Sequence, residues 1–251
     1  MPSLYDRADI YDLLETDARF NAYKRHWEYV LRGTGIHSLL DVSIGSGCVT
    51  LPLVELGVEL SGSDLSEAML TNCRKKAQHK GYSVDLQQSD FRDLSCWQGR
   101  KFGCVASTGN SLAYVTNCEV QDTLAQMDTL VSNGGYLYFD TRNWDRILET
   151  HQRFYFYNPF FSDKTRVNMF QVWDYPADGS IIFNIVYTFE QENKIIQKEI
   201  FEEHYHPLPR QLLLNQLTAL GYREVKQFCF PAFLKQDAEN AEWYCILARK
   251  K

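Results

Sequence analysis

The sequence predicts an α/β fold in which seven strands form a mostly parallel sheet with helices on both faces. Strand and helix patterns alternate through the first part of the chain, and glycines stand where two of the helices should end. This alternation is typical of crossover units, whose strands run parallel. After residue 140 consecutive strand patterns appear instead. They predict an antiparallel β insertion before the sheet is completed.

The first part of the chain supplies the elements of the parallel sheet. Apolar residues at helical spacing predict two helices over 9–32, broken near Thr16-Asp17. Strand patterns lie at 37–42, 58–63, 83–87, 102–107 and 135–140, and helical patterns lie at 47–56, 66–79 and 119–131. Gly57 and Gly81 are the expected C-caps of two helices. Asn133-Gly134-Gly135 is the expected turn before the fifth strand.

The second part begins with an aromatic stretch at 154–161, which is predicted to be a loop. Antiparallel strands are predicted at 167–175, 181–190 and 194–205, followed by a helix at 210–220 and strands at 223–230 and 241–249. Pro176-Ala177-Asp178-Gly179 is the expected first hairpin turn.

Four regions follow from these patterns. They are an N-terminal helical arm at 1–36, a Rossmann-like core at 37–150, an antiparallel lid insertion at 151–207 and a C-terminal completion of the sheet at 208–251. The insertion leaves the fifth strand, and ligands of open α/β sheets bind beyond the carboxyl ends of the strands. We therefore expect a lid over a ligand site. A structural or oligomerising arm is the alternative.

Composition narrows the class of partner. The chain has 251 residues, is 45% apolar and 23% charged, and carries a net charge of −6, as in an ordinary soluble globular protein. No basic cluster is longer than the three residues of Arg74-Lys75-Lys76, which argues against nucleic acid as the main partner. A membrane span needs a run of about 18 apolar residues, and we expect none, nor a signal peptide. Seven scattered cysteines without C-x-x-C predict a reducing, cytoplasmic compartment. His204-Tyr205-His206 has no third ligand nearby, so no metal site is predicted.

A glycine-rich turn after the first strand carries the strongest functional signal. Residues 39–47, Leu-Leu-Asp-Val-Ser-Ile-Gly-Ser-Gly, place Gly45 and Gly47 where a ligand can lie against main-chain N–H groups. Asp64 ends the second strand, where an acid can accept hydrogen bonds from a ribose. Thr50 stands in place of the third glycine of the dinucleotide-binding pattern, so that pattern fails. An ordinary strand–turn–helix joint is the alternative. The two stretches resemble the first two motifs of class I S-adenosylmethionine-dependent methyltransferases.

Two further segments with candidate site residues follow the third and the fourth predicted strands. Asp90 can accept a hydrogen bond from an adenine amino group while the ring of Phe91 covers the base. Leu65 and Met69 can line the other face of the base. Phe91 and Met69 are, however, residue types that more often lie in the hydrophobic core. Asn110, in a polar turn after the fourth strand, offers a carbonyl that can accept from a substrate amine; a turn-capping role is the alternative.

Arg142 ends the fifth strand. A guanidinium beside a cofactor pocket can anchor a carboxylate through paired, charge-assisted hydrogen bonds. The alternative is a structural bridge to Asp140 or Asp145.

Together these segments resemble glycine N-methyltransferases and the related glycine/sarcosine methyltransferases. The stretches that carry the resemblance are G-N-S-L-A-Y at 109–114, D-T-R-N-W-D-R-I-L at 140–148, R-F-N-A-Y-K at 19–24 and D-L-S at 64–66. They are similar to the family's G-N-S-F-A-H, D-H-R-N-Y-D-Y-I-L, R-T-A-E-Y-K and D-L-S. The similarity covers residues 19–70 and 102–150 and is looser beyond 150. Ile44, Tyr114 and Phe91 stand where the family usually has Cys, His and Trp.

The resemblance implies a role for each matched position. Cofactor contacts would be Arg19 at the methionine carboxylate, Ser43 and Gly45 in the cradle, Asp64 at the ribose, Asp90 and Phe91 at the adenine, and Thr108 and Tyr114 elsewhere. Asn110 and Arg142 would hold the amine and the carboxylate of the amino-acid substrate. Tyrosines would close the site, the candidates being Tyr5, Tyr157, Tyr187 and Tyr205. We add Tyr11 to the cofactor candidates.

The sequence therefore predicts an S-adenosylmethionine-dependent N-methyltransferase acting on glycine, sarcosine or a similar small amino acid. Two alternatives stay open. One is the same apparatus acting on a larger amine, guanidine or hydroxyl of a secondary metabolite. The other is a non-catalytic module that binds S-adenosylmethionine. A homo-oligomer is a further expectation of the resemblance.

Overall fold

The sheet of the computed structural model, which describes residues 3–251, confirms the predicted fold class. Its strands are β1 (Ser38–Asp41), β2 (Glu59–Asp64), β3 (Val84–Gln88), β4 (Phe102–Ser107), β5 (Val131–Arg142), β11 (Arg223–Cys229) and β12 (Trp243–Arg249). They lie in the order β11-β12-β5-β4-β1-β2-β3. Strands β1 to β5 pair in parallel, whereas β12 pairs antiparallel with both β5 and β11. The strand order reverses between β1 and β4, where open α/β sheets bind ligands.

Helices cover this sheet. They are α1 (Ala8–Tyr11), α2 (Asp17–Val30), α3 (Glu67–Lys80), α4 (Asn117–Leu130), α5 (Trp144–Thr150) and α6 (Arg210–Ala219). Of these, α2, α3, α4 and α5 begin at polar caps. Thr16 and Ser66 accept from backbone N–H groups at the starts of α2 and α3, and Gly81 ends α3 with φ +72°. Short 3₁₀ helices lie at Leu4–Asp6, Asp12–Leu14, Leu51–Leu56, Ser95–Trp97, Ser111–Tyr114 and Ala232–Leu234.

Two local predictions in the sheet are wrong in detail. The helix expected over 47–56 is a 3₁₀ helix over Leu51–Leu56, because Pro52 lacks an N–H group and fits only the first turn of a helix. The turn expected at Asn133-Gly134-Gly135 lies inside β5. There the pairing with β4 shifts register, and Gly134 takes φ +71°. The chain thus passes from α4 into β5 through an irregular strand.

A second sheet is built by the insertion. Its strands are β6 (Phe154–Phe156), β7 (Phe160–Ser162), β8 (Thr165–Asp174), β9 (Ile181–Gln191) and β10 (Lys194–Tyr205), in the order β10-β9-β8-β6 with β7 beside β8. All pairs are antiparallel, as predicted. The aromatic stretch 154–161 is not a simple loop, because β6 and β7 both pair with β8. Aromatic residues favour strands.

The second sheet shares one hydrophobic core with the main sheet. Alternate residues of β8 and β9 are buried, and Trp173, Phe183 and Tyr187 pack in the same cluster as Leu112 and Trp144. The backbone N–H of His206, just after β10, donates to the carbonyl of Ala113 at 2.7 Å. The insertion therefore covers the carboxyl ends of β4 and β5. Across residues 3–251 no helix is long and apolar enough to span a membrane.

Candidate active site

Asp41, at the end of β1, forms hydrogen bonds to the glycine-rich turn that follows it and to the loop after β4. Its buried carboxylate accepts from the Thr108 hydroxyl at 2.7 Å, the Thr50 hydroxyl at 3.2 Å and the Ser43 N–H at 3.1 Å. Burial raises the pKa of Asp41 to about 6. Because its oxygens bond within the protein, Asp41 positions the cradle rather than touching a ligand.

Gly45 and Gly47 serve different purposes in the turn that follows. Gly45 has φ +56°, and a Cβ built there would meet nothing within 4 Å, so a side chain would extend into open space above the turn. Gly47 has φ +83°, and its Cβ would lie 2.7 Å from Leu51 Cδ1 and 2.8 Å from Cys73 Sγ. Gly45 therefore keeps a cradle open for a ligand, whereas Gly47 permits close packing.

Asp64 faces this cradle from the end of β2. Its Oδ2 accepts from the Gly45 N–H at 2.8 Å and its Oδ1 accepts from the Ser66 N–H at 2.9 Å. Burial raises the pKa of Asp64, and these N–H groups partly oppose that rise. Each oxygen keeps a second lone-pair direction for a ligand hydroxyl.

Two neighbouring cavities, which share lining residues, lie along the carboxyl ends of the strands. The smaller, of about 30 Å³, is lined by four predicted cofactor residues: Ser43, Gly45, Asp64 and Thr108. The larger, of about 280 Å³, is lined by seven more candidates: Arg19, Asn110, Tyr114, Arg142, Tyr157, Tyr187 and Tyr205. Tyr5 and Tyr11 line both cavities. Most of the predicted site residues are thus brought together.

The predicted adenine residues are not brought together with them. Met69 has no exposed surface, so its side chain packs in the interior and makes no ligand contact in this conformation. Leu65 lies on the outside and is 66% exposed. The Asp90 carboxylate is engaged by Arg92 at 2.6 Å, and this ion pair holds its pKa below the usual range. Phe91 is half-buried against the core.

Asn110 has a different hydrogen-bonding role from the one that the sequence suggested. Its side-chain Oδ1 accepts from the Arg142 N–H at 3.0 Å, the Trp144 Nε1–H at 3.0 Å and the Thr141 hydroxyl at 2.8 Å. An indole and a backbone N–H only donate, so the oxygen must face them. The prediction that this carbonyl accepts from a substrate amine is therefore wrong. The free part of the amide is its NH₂, a donor suited to a carboxylate.

Arg142 is a buried cation, and no carboxylate of residues 3–251 pairs with it within 4.0 Å. The bridges considered to Asp140 or Asp145 are thus not formed. Four aromatic rings surround the guanidinium, with Cζ 5.0–5.5 Å from the centroids of Tyr155, Trp173, Phe183 and Trp243. Aromatic faces attract a cation without neutralising it. The positive charge stays available to an anionic ligand in the cavity.

Tyr157 adds a donor beside this guanidinium. Its hydroxyl oxygen accepts from Arg142 Nη2 at 3.4 Å and from Gln171 Nε2 at 3.3 Å. Both partners are obligate donors, so the phenol proton must point elsewhere. Arg142, Tyr157 and the Asn110 amide thus present donors to the same cavity.

The remaining tyrosines form a hydroxyl cluster at the N-terminal arm. The Tyr114 hydroxyl lies 2.5 Å from that of Tyr205 and donates to that of Tyr5 at 3.1 Å. Burial raises the pKa of all three phenols. The arm is fixed by Glu203, whose carboxylate accepts from the Leu4 N–H at 2.7 Å. Sequence reasoning missed Glu203, which alternates with Tyr205 along β10.

Arg19 and Lys76 are the other cations near the cavities. Arg19 Nε donates to the Tyr23 hydroxyl at 3.1 Å, and both side chains line the larger cavity. Lys76 Nζ lies 3.3 Å from Asp12 and 2.5 Å from Glu15. These two acids could geometrically hold a metal with Cys48, but the lysine ammonium already compensates their charge.

Asp140 is a site residue that the sequence did not single out. It lines the larger cavity, is 2% exposed, and accepts from the Gly109 N–H at 3.0 Å through Oδ1. Its Oδ2 is buried without a hydrogen bond. Burial and the nearby Asp41 raise the pKa of Asp140 to about 8. The only signal in the sequence was an acid two positions before Arg142, on the same face of a strand.

Comparisons with known proteins agree with this architecture. Residues 39–135 match the model of a methyltransferase domain. The glycine/sarcosine N-methyltransferase of Parasynechococcus marenigrum (strain WH8102) is 30% identical over 146 residues, which cover 57% of this chain and 52% of that protein. The chain spans about half the length of this relative and of the mouse and rabbit glycine N-methyltransferases that it also matches.

Two solved structures share the fold over nearly the whole chain. An S-adenosylmethionine-dependent methyltransferase from Clostridium acetobutylicum ATCC 824 has a TM-score of 0.78 at 16% identity and covers 99% of both chains. The sugar N-methyltransferase KedS8 from Streptoalloteichus sp ATCC 53650 has a TM-score of 0.72 at 20% identity, covering 100% of this chain and 94% of that one. The matched domain at 39–135, the sheet order and these shared folds support a class I S-adenosylmethionine-dependent methyltransferase.

Proposed function

We propose that this protein binds S-adenosylmethionine and transfers its methyl group to the amino group of glycine, sarcosine or a similar small amino acid. The observation that carries the substrate class is Arg142, a buried guanidinium without a carboxylate partner among the described residues, facing the cavity. Burying an unpaired charge costs several kcal/mol, of the order that a paired ligand recovers. A carboxylate is the ligand that a guanidinium fork matches best.

The described residues fit the cofactor. The open space above Gly45 leaves room against the main chain, Asp64 keeps lone pairs for ribose hydroxyls, and the exposed end of Arg19 suits a methionine carboxylate. S-adenosylmethionine, when bound, supplies an electrophilic methyl group on a sulfonium. The tyrosine cluster of Tyr5, Tyr114 and Tyr205 adds neutral oxygens and aromatic faces, which favour a cation nearby.

The substrate would be oriented through its carboxylate. Arg142 would hold it in a charge-assisted pair, and the Asn110 NH₂ and the Tyr157 hydroxyl would donate to it as well. This arrangement turns the amino group away from Arg142, since donors surround the carboxylate. Fixing a nucleophile at one end and an electrophile at the other is the main contribution a protein makes to such a displacement.

The amino group must lose its proton before it attacks, because an ammonium has no lone pair. We propose that the proton leaves to solvent while the substrate binds, so that activity rises toward alkaline pH. The second sheet and the arm fixed by Glu203 then exclude water from the reacting atoms.

A second candidate keeps the chemistry and changes the acceptor. The likeness to a sugar N-methyltransferase extends over the whole chain, including the lid, and favours the amine of a larger secondary metabolite. Arg142 argues for the amino acid, because a neutral sugar would leave its charge unpaired. Arg142 also argues against a non-catalytic module that only binds S-adenosylmethionine, because such a module needs no anchor for a second substrate.

One experiment tests the proposal and its rival together. The purified chain is incubated with S-adenosylmethionine and, separately, glycine, sarcosine, dimethylglycine, glycinamide and an amino sugar, and the products are identified by mass spectrometry. We expect methylated glycine or sarcosine and far less product from glycinamide, which lacks the carboxylate. Methylation of the amino sugar alone would establish the rival. The absence of S-adenosylhomocysteine with every acceptor would refute both.

A further inference from the structure

Asp140 is a buried carboxyl group that the proposed reaction does not use. It stands at the end of β5 with 2% exposure, and it lines the cavity that also contains Arg19 and Arg142. One oxygen accepts from the Gly109 N–H at 3.0 Å, and the other is buried without any hydrogen bond. A buried polar atom without a partner is costly, so native proteins rarely keep one without a purpose. When Asp140 is ionised, the missing partner must be a donor.

The charges around Asp140 favour a cationic donor. Asp41 on β1, Tyr23 on α2, Tyr138 on β5 and Cys245 on β12 are titratable groups whose charges interact with it. None of them is a cation. The Gly109 and Asn110 N–H groups and the Tyr138 hydroxyl oppose the rise in the pKa of Asp140. Burial and Asp41 raise the pKa of Asp140 to about 8, which is the behaviour of a carboxyl group that lacks a compensating positive charge. A bound ammonium would supply that charge.

Arg19 and Asp140 line the same cavity. Tyr23 accepts from Arg19 Nε at 3.1 Å, and its pKa is raised in part by the charge of Asp140. Tyr23 lines this cavity as well. A positive and a negative side chain in the wall of one cavity match the two ends of an amino-acid zwitterion.

We propose that Asp140 binds the α-ammonium group at the methionine end of S-adenosylmethionine, while Arg19 binds the neighbouring carboxylate. This inference rests on the cofactor named in the proposed function. No bond forms or breaks in this contact; Asp140 is a binding residue for the cofactor. The turn at Gly109, which Asp140 holds, lines both cavities, so the carboxyl group lies at the junction between the cofactor cradle and the substrate region.

Asp140 could instead receive the ammonium of the substrate. The position of Arg142, which would hold the substrate carboxylate, argues against an ammonium of the substrate at Asp140. The rings around Arg142 come from the second sheet, β6, β8 and β9, and from β12, whereas Asp140 bonds to the loop after β4 and lies near Tyr23 of α2. The elements around Arg142 therefore differ from the elements around Asp140.

Isothermal calorimetry with two ligands tests the proposal. The ligands are S-adenosylhomocysteine and its desamino analogue, in which hydrogen replaces the α-amino group. Asp140→Asn keeps the size of the side chain and an acceptor for the Gly109 N–H. We expect this variant to lose about ten- to a hundredfold in affinity for S-adenosylhomocysteine, as for one charge-assisted hydrogen bond. Its affinity for the desamino analogue should match that of the parent chain. Asp145→Asn, an exposed acid nearby, is the matched control and should change neither affinity.

The parent chain alone supplies a second measurement. Asp140 holds its proton up to about pH 8, so a bound ammonium should make it ionise. Titrations at pH 7 in buffers of different ionisation enthalpy should then show proton release with S-adenosylhomocysteine and none with the desamino analogue. This test does not depend on the stability of a variant.

Three outcomes would overturn the inference. Equal losses for both ligands in Asp140→Asn would mean that the residue only holds the loop. Unchanged binding of S-adenosylhomocysteine, with an altered pH profile of kcat, would assign Asp140 to the substrate. A parent chain that binds neither ligand would refute the cofactor assignment itself, and with it this inference.

Discussion

Replacing Arg142 is the most direct test of carboxylate recognition. Arg142 is 7% exposed, and its guanidinium lies among four aromatic rings with no carboxylate partner within 4.0 Å among the described residues. In Arg142→Gln the substrate carboxylate would enter the cavity without a counter-charge. Loss of a charge-assisted, paired contact is worth roughly 2–4 kcal/mol, so kcat/KM for glycine should fall by about 30- to 1000-fold.

The assay needs a second acceptor as a control, because a substitution that merely distorts the site also lowers activity. Glycinamide has the same amine and no carboxylate. The parent chain should disfavour glycinamide relative to glycine by a similar factor, and Arg142→Gln should treat the two acceptors nearly alike. Arg142→Lys keeps the charge but loses the planar guanidinium and its stacking on the rings. We therefore expect its kcat/KM for glycine to lie between those of the parent chain and Arg142→Gln.

Stability and cofactor affinity separate recognition from structure. A buried cation without a counter-ion costs desolvation free energy, so Arg142→Gln should unfold at the same or a higher temperature than the parent. Affinity for S-adenosylhomocysteine should also be kept. Equal losses of activity on glycine and glycinamide, or a cofactor affinity reduced along with activity, would refute carboxylate recognition by Arg142.

Four further predictions concern the remaining groups. Asn110→Asp keeps the acceptor for Trp144 but places a negative oxygen where the NH₂ was, so the glycine KM should rise steeply in initial-rate assays; an unchanged KM would contradict the donor role. Asp64→Asn should lower cofactor affinity strongly in calorimetry, and normal affinity would exclude the ribose contact. Gly45→Ala puts a methyl group into the cradle at φ +56°, so cofactor affinity should fall and stability should drop by about 1–2 kcal/mol in denaturant unfolding; unchanged binding would show that the turn is not a cradle. For Asp140 the folded pKa of about 8 exceeds the usual 3.8, so stability is lost as pH rises between these values; the ligand-free Asp140→Asn variant should gain in Tm over the parent at pH 8 more than at pH 5, and an equal difference would show that the carboxyl group ionises freely.

The sequence predicted the sheet because local patterns decide it. The parallel strands are short segments that alternate with helical patterns and are bounded by glycine or polar turns. Ser66 and Gly81 mark the ends of α3 as their side chains and backbone require. The predictions failed where local signals compete. Pro52 limits a helical pattern to a 3₁₀ turn, and the aromatic stretch at 154–161 pairs with β8 because a partner strand is present, which no window of sequence reveals.

The candidate site was predictable in its residue types and less so in its roles. Residues at strand ends, such as Asp64 and Arg142, could be identified because parallel strands bring their carboxyl ends to one edge. The direction of the Asn110 amide depends on three donors from another strand and helix. Asp140 comes beside Gly109 only through the register that pairs Ser107 with Phe139. Such contacts are set by pairing between distant segments and leave no periodic signal.

Burial of the phenols determines what the sulfonium can react with. A phenolate close to an activated methyl group would itself be methylated, which would inactivate the protein. Tyr5, Tyr114 and Tyr205 are held in one hydrogen-bonded cluster, and burial raises each phenol pKa above 10.0. Ionising any of them would place a negative charge in a poorly solvated region, which is unfavourable. The cluster thus remains a neutral, electron-rich wall that favours a cation. In the proposed reaction, the amine held through Arg142 would be the nucleophile.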